Sequence, residues 1–183
     1  MSLFRRMLLY LDVIRRLGFL NCAYVAWYRL SLKCGIRKFF FPQRPFTASG
    51  PFFHPTNPVQ DYPEEWKSSL FGDAEQILQG CIRYYAYHWQ VVGTPPNWFL
   101  NPFNGKAWPA DRQHWSDIPD FHTDLGDIKH IWEASRLEWA VTLARTYAVS
   151  GQNVYLDTLN QWLGDWMMKN LVNTGPNWKC GQE

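Results

Sequence analysis

Apolar positions near the start of the chain fall at Leu3, Phe4, Met7, Leu8, Leu11, Ile14 and Leu17, while Arg5, Arg6, Asp12, Arg15 and Arg16 lie off that line. Recurrence at three and four residues gathers the apolar set on one face, so Leu3–Leu17 is predicted to be an amphipathic helix. Gly18 interrupts the pattern. A second helical stretch with Leu20, Tyr24, Trp27, Tyr28 and Leu32 runs to Cys34-Gly35, where the glycine is expected to stop it. Residues 39–63 hold Phe39-Phe40-Phe41 and then Pro42, Pro45, Pro51, Pro55, Pro58 and Pro63, which predicts an extended connector without regular helix.

Beyond the connector, Glu64–Leu78 suits a helix, and residues 81–92 suit a strand or hairpin because Tyr84, Tyr85, Tyr87, Trp89, Val91 and Val92 are strand formers. Residues 93–126, broken by Pro95, Pro96, Pro102, Pro109 and Pro119, predict a loop long enough to expect a role in function. Residues 128–150 predict one helix buried on two faces, with Trp132, Trp139 and Leu143 on one side and Leu137, Ala140, Val141, Ala144 and Ala148 on another. A turn at Ser150-Gly151 and a helix over residues 154–169 then give an antiparallel pair. The expected organisation is a basic helical segment over residues 1–44, a Pro-rich connector over 45–62 and a mainly α body over 63–183.

A chain of 183 residues can bury one real core, with about 70% of its unfolded surface removed from water. Aromatic residues make up 17% of it, an excess that fits either a large core or a surface that stacks on planar or sugar rings. Residues 1–44 carry nine Lys and Arg against Asp12 alone, a net of +8, whereas the rest sums to −6. The two parts therefore have different electrostatic partners. The basic segment is either a helical pair packed on the body or, over residues 1–38, an attachment to an anionic membrane surface. Nucleic acid is not among the expected partners. The uncharged run over residues 17–28 is shorter than the about 20 residues a bilayer span needs, and no small-residue cleavage site follows it. Cytoplasmic or peripheral-membrane placement is thus favoured over periplasmic. Four cysteines without a CxxC pair indicate neither a disulfide scaffold nor a zinc ribbon.

Candidate chemistry gathers in the segment from Asp127 to Arg136. Lys129, Trp132, Glu133 and Arg136 stand at i, i+3, i+4 and i+7 and share one helix face. A ring beside an acid and a guanidinium can bind an acidic sugar, the ring stacking and the guanidinium gripping a carboxylate. The competing reading is a structural ion pair, Glu133–Arg136 or Lys129–Glu133, beside a core Trp132. Asn97-Trp98 and Asn177-Trp178 each follow a proline and offer amide and ring to a cleft, or else cap turns and pin loops to the core. The five histidines form no HxxxH or HExxH pair, so no metal site is expected, and no cofactor-binding glycine motif occurs. Two-carboxylate hydrolysis has Asp124, Asp127, Glu133 and Glu183 as candidates.

The ordered series Asn97-Trp98, Asn101-Pro102, Gly105, Trp108-Pro109, His114-Trp115, Ile118-Pro119, Gly126-Asp127-Ile128-Lys129, Trp132-Glu133, Ser135-Arg136, Leu143-Ala144, Tyr147, Gly151, Tyr155, Trp166, Asn177-Trp178 and Glu183 resembles the N-terminal part of the heparinase II and III, or alginate-lyase-like, family. The resemblance spans about residues 60–183. Gln152, Asn153 and Leu171 depart from the family's pattern at helix ends. The resemblance implies an α/α toroid of antiparallel helical hairpins, here incomplete and carrying a small β-hairpin and long loops. It also implies β-elimination on a uronate polysaccharide without a cofactor. In the family the Asn, Tyr and His that quench the uronate carboxylate and transfer the protons lie downstream of the Asn-Trp motif, so the chain is expected to end before the catalytic half and to contribute no catalytic residue. What carries over is a set of cleft positions for an acidic polysaccharide: Asn97, Trp98, Trp132, Glu133, Arg136, Asn177 and Trp178. A non-catalytic carbohydrate-binding or membrane-peripheral protein, and a toroid hydrolase, are the alternatives.

Overall fold

The computed structural model describes residues 3–47, 51, 62–109, 112–119 and 121–179. The chain divides into two compact units, Met1–Pro42 and Gln43–Glu183.

In the first unit, α1 (Leu3–Leu17) and α2 (Phe19–Lys33) pack together as a hairpin. They are separated at Gly18, whose φ of 80° is open to a residue without Cβ. Gly35, at φ 73°, follows α2 and leads into α3 (Ile36–Phe40). This short helix corrects the expectation of extended chain from residue 39. Pro42 restrains only itself and the residue before it, so the helix runs to Phe40 and ends at Phe41, which takes the extended φ of −122° that a pre-proline residue favours. Arg37 ties α3 back to α2: its Nε donates to Ser31 Oγ at 2.9 Å and its guanidinium lies 5.1 Å from the Tyr28 ring centroid.

Most of the expected connector, residues 48–50 and 52–61, lies outside the described residues. Its start belongs to the second unit. Arg44 and Val172 exchange backbone hydrogen bonds of 3.2 and 2.8 Å, and Phe46 packs 6.0 Å from Trp166 and 5.9 Å from Trp178.

The second unit opens with α4 (Glu64–Leu78), followed by an antiparallel hairpin of β1 (Cys81–Tyr84) and β2 (His88–Val91) in the register Tyr84↔His88. Gly80 enters the hairpin at φ 84°, and a Cβ there would meet the Gly93 backbone at 3.0 Å, so the close approach requires glycine. Residues 93–126 are not purely loop. They contain two short antiparallel pairs, β3 (Leu100–Asn101) with β4 (Lys106–Ala107), and β5 (Phe121–His122) with β6 (Gly126–Asp127, one residue past that segment). The single helix expected over 128–150 is instead two, α5 (Lys129–Ser135) and α6 (Glu138–Ser150). They are divided at Leu137, which adopts the left-handed φ of 61°. The indole of Trp139 donates to Ala134 O at 3.0 Å across this break. Gly151-Gln152 then folds α7 (Asn153–Lys169) back along α6, and α4 packs on both. The Tyr155 hydroxyl fastens α7 to α4 through Glu75 at 2.9 Å.

The described structure is therefore mainly helical with a few small strand pairs. Its core centres on Trp98, Trp139 and Trp162, all buried, with ring centroids 5.2 to 6.5 Å apart. The tip of the β1–β2 hairpin holds two non-glycine residues at positive φ, Tyr85 at 52° and Ala86 at 65°. Ala86 is exposed and its methyl is not buried. Ala86→Gly is expected to relieve about 1 kcal/mol of backbone strain and raise Tm by about 2–4 °C in a thermal circular-dichroism scan. A lower Tm would show that the tip is unstrained.

Candidate functional site

The chemistry closest to the surface is organised around Glu133. Its residue type asks for water, yet α5 holds it with only 6% of its side chain exposed, so it needs partners. Two are supplied. The Tyr85 N–H donates to Oε2 at 2.8 Å, and Arg136 Nη1 lies 2.8 Å from Oε1. Of the two ion pairs weighed from the sequence, Glu133–Arg136 is formed. The left-handed turn explains the first contact: the Tyr85 amide finds its acceptor in a side chain 48 positions away instead of in the hairpin.

Tyr85 and its neighbours form a corner of rings beside that carboxylate. The Tyr85 hydroxyl and His130 Nδ1 share a 2.7 Å hydrogen bond, in which the phenol donates when the imidazole carries its proton on Nε2. Phe103 sits at the centre, its ring centroid 4.8 Å from His130, 5.7 Å from Tyr84, 6.2 Å from Tyr85 and 6.4 Å from His88. Phe103, Tyr85 and Arg136 are each partly exposed, whereas Tyr84 is buried. Burial pushes the Tyr85 phenol above its ordinary value, the charges of Glu133 and Asp127 add to this, and Arg136 opposes it. Burial, followed by Glu133 and Tyr85, pushes Tyr84 further up. Both phenols therefore keep their protons at neutral pH. The corner presents flat apolar rings, a guanidinium held by a buried carboxylate and a protonated phenol against an imidazole. Rings can stack on a flat ligand face and a guanidinium can pair with an anion.

The other positions singled out from the sequence fall elsewhere. Trp98 is buried, and its indole N–H donates to Asp165 Oδ2 at 2.8 Å, an oxygen that Lys169 also approaches at 2.9 Å. Trp132 is buried and donates to Pro176 O at 2.8 Å. Asn177 is buried, its amide donating to Asn170 Oδ1 at 2.7 Å and to Trp98 O at 3.2 Å. Trp178 is half-buried, donates to Asn170 O at 3.3 Å and packs on Phe46 and Trp166. The two Asn-Trp motifs thus meet, joined by Asn177 and the Trp98 carbonyl. Asn97 is exposed, accepts from the Phe99 N–H at 3.2 Å, and lines an open concavity of about 590 Å³ with Phe99 and Lys169. Glu133 and Arg136 alone lie in the ring corner.

Among the hydrolysis candidates, Asp127 accepts from the Lys129 N–H, the first amide of α5, at 2.9 Å, and Glu183 is outside the described residues. Among the described residues no three His, Cys, Asp or Glu side chains are grouped as a metal site would need. Tyr85, His130 and Phe103 escaped the sequence reading. His130 stands three residues before Glu133 and so shares its helix face, a signal available in the spacing. Nothing local marks Tyr85 or Phe103.

Comparison of the chain with protein-family models, with characterised proteins and with solved structures finds no match in any of the three.

Tyr84 allows a test of the electrostatics. Its hydroxyl is buried with no hydrogen-bond partner among the described residues, so Tyr84→Phe is expected to leave stability at neutral pH unchanged or raise it by about 1 kcal/mol. Because its folded pKa is raised, the stability tied to the neutral phenol is complete below about pH 10 and is lost as the pH climbs towards the folded value. The variant should therefore lose less Tm than the wild type between pH 9 and pH 11. An identical alkaline decline in both proteins would contradict the assignment.

Proposed function

We propose that this chain forms part of the substrate cleft of a polysaccharide lyase that acts by β-elimination on a uronate-containing polysaccharide, of heparan or alginate type. Its role in that reading is to bind the sugar chain at the corner made by Tyr85, Phe103, His130 and Arg136. The observation that carries the proposal is a guanidinium ion-paired with a buried carboxylate beside exposed rings. Arg136 is ion-paired with a buried carboxylate that the Tyr85 N–H holds, and Phe103 and Tyr85 are partly exposed rings within the same cluster. Elimination needs the uronate carboxylate neutralised so that the C5 proton can leave, and a positioned arginine supplies that neutralisation. The C5–H electron pair then forms the new double bond as the C4–O bond breaks, and the departing oxygen takes a proton.

Binding of a uronate oligosaccharide to the purified chain, followed by calorimetry, tests the proposal. The expected result is salt-sensitive binding that a neutral glucose oligomer does not reproduce. Arg136→Lys keeps a cation for Glu133 but loses the planar fork, and should weaken binding about tenfold with Tm nearly unchanged. Phe103→Leu should weaken it by a similar factor through loss of the ring face. Arg136→Ala should in addition lower Tm by roughly 5–10 °C. It strands a buried carboxylate at about 2–3 kcal/mol, after allowance for the half-exposed arginine. Equal binding of charged and neutral oligomers would overturn the proposal.

The chain alone is expected to bind without eliminating, so no unsaturated uronate should accumulate in an absorbance assay. Turnover above blank would instead place the proton-transferring residues within this chain.

A further inference from the structure

Independently of the proposed function, we infer that the unit Met1–Pro42 is an interfacial anchor that lies in the headgroup region of an anionic phospholipid bilayer. A packed helical hairpin normally buries its apolar face, but here the described apolar side chains remain open along all three helices. Phe19 is 72% exposed, Leu20 82% and Phe39 82%, and Met7, Leu11, Leu17, Tyr24, Trp27, Leu30 and Phe40 are exposed as well. So extended an apolar surface on a soluble unit marks a site of association.

Its occupant is identified by charge, length and ring content. The apolar surface is framed by Arg15, Arg16, Arg29, Lys33, Arg37 and Lys38, with Asp12 the lone acid of the segment. Asp12 is paired with Arg16 at 2.9 Å. A second copy of this unit would bring the same excess of positive charge against itself, whereas an anionic lipid surface complements it. Each of α1 and α2 has 15 residues, about 22 Å of helix, and no helix among the described residues is long and apolar enough to cross a membrane. Helices of this length with an apolar face and flanking arginines lie in the interface. Tyr10, Tyr24, Trp27 and Tyr28 carry the amphipathic rings that settle at headgroup depth, and Phe39, Phe40 and Phe41 extend the apolar surface just before Pro42.

The experiment is co-sedimentation of the full chain with phosphatidylcholine vesicles, with and without phosphatidylserine, at rising salt. Expected is binding to the phosphatidylserine vesicles that weakens as the screening length falls from about 8 Å towards about 3 Å at 1 M salt. Little binding to phosphatidylcholine alone is expected. Arg15→Glu with Arg16→Glu should weaken partition by roughly 30-fold or more. Leu20→Glu with Trp27→Glu should abolish it. Because all four positions are exposed, their variants should keep the wild-type Tm, and a matching circular-dichroism spectrum separates lost binding from lost folding. No binding to either vesicle, or equal binding to both, overturns the inference. So does concentration-dependent dimerisation, read by analytical ultracentrifugation, that Leu20→Glu abolishes while vesicle binding persists, since the apolar surface would then belong to a second copy.

Discussion

Glu133 is a carboxylate removed from water and given one backbone N–H and one guanidinium in return, and the geometry of the ring corner follows from that arrangement. An uncompensated charge at such a position costs several kcal/mol, so its partners are not optional. The requirement fixes the hairpin tip, because the Tyr85 amide must reach α5. It draws in Arg136, three residues on, as an ion-pair partner. It also sets the two phenols, since the negative charge on Glu133 adds to burial in keeping Tyr84 and Tyr85 protonated. A cation, a protonated phenol and a set of rings are thereby held together by a group that is itself hidden.

The tryptophans resolve the ambiguity left by composition. Indole N–H groups buried without an acceptor would be costly, and Trp98, Trp132, Trp139, Trp166 and Trp178 each have one, respectively Asp165, Pro176 O, Ala134 O, Ser135 Oγ and Asn170 O. Four of these link residues more than seven positions apart. Much of the aromatic excess is therefore a set of ties between loops and helices. Asn177 and Asn170 join the same network, so both Asn-Trp motifs close one loop onto another. Among the described residues, Trp66, Tyr85, Tyr87, Phe103 and Phe121 remain open in the body, as do Tyr10, Phe19, Tyr24, Trp27, Phe39, Phe40 and Phe41 in Met1–Pro42.

Glycine punctuation was legible in the sequence: Gly18 and Gly35 divide the first helices because their positive φ excludes most other residues. Leu137 takes a comparable φ without any such signal, which is why residues 128–150 read as one helix and form two. The Glu133–Arg136 pair was legible from its spacing, since side chains three apart on a helix are neighbours. Tyr85 and Phe103 were not. They reach His130 and Glu133 only after the hairpin and the 93–126 segment have folded against α5, and no local pattern encodes a contact 45 or 48 residues away. The small strand pairs within 93–126 were hidden for the same reason: two-residue strands are too short for alternation to show.

The most direct test of the account is a nuclear magnetic resonance titration of the labelled chain with a uronate disaccharide, following the Arg136 guanidinium and His130 ring signals. The account predicts that these two groups, with the Phe103 ring, show the largest saturable shifts and that a neutral disaccharide leaves them in place. Unmoved Arg136 and His130 signals, at a concentration of uronate that perturbs residues elsewhere on the chain, would contradict it.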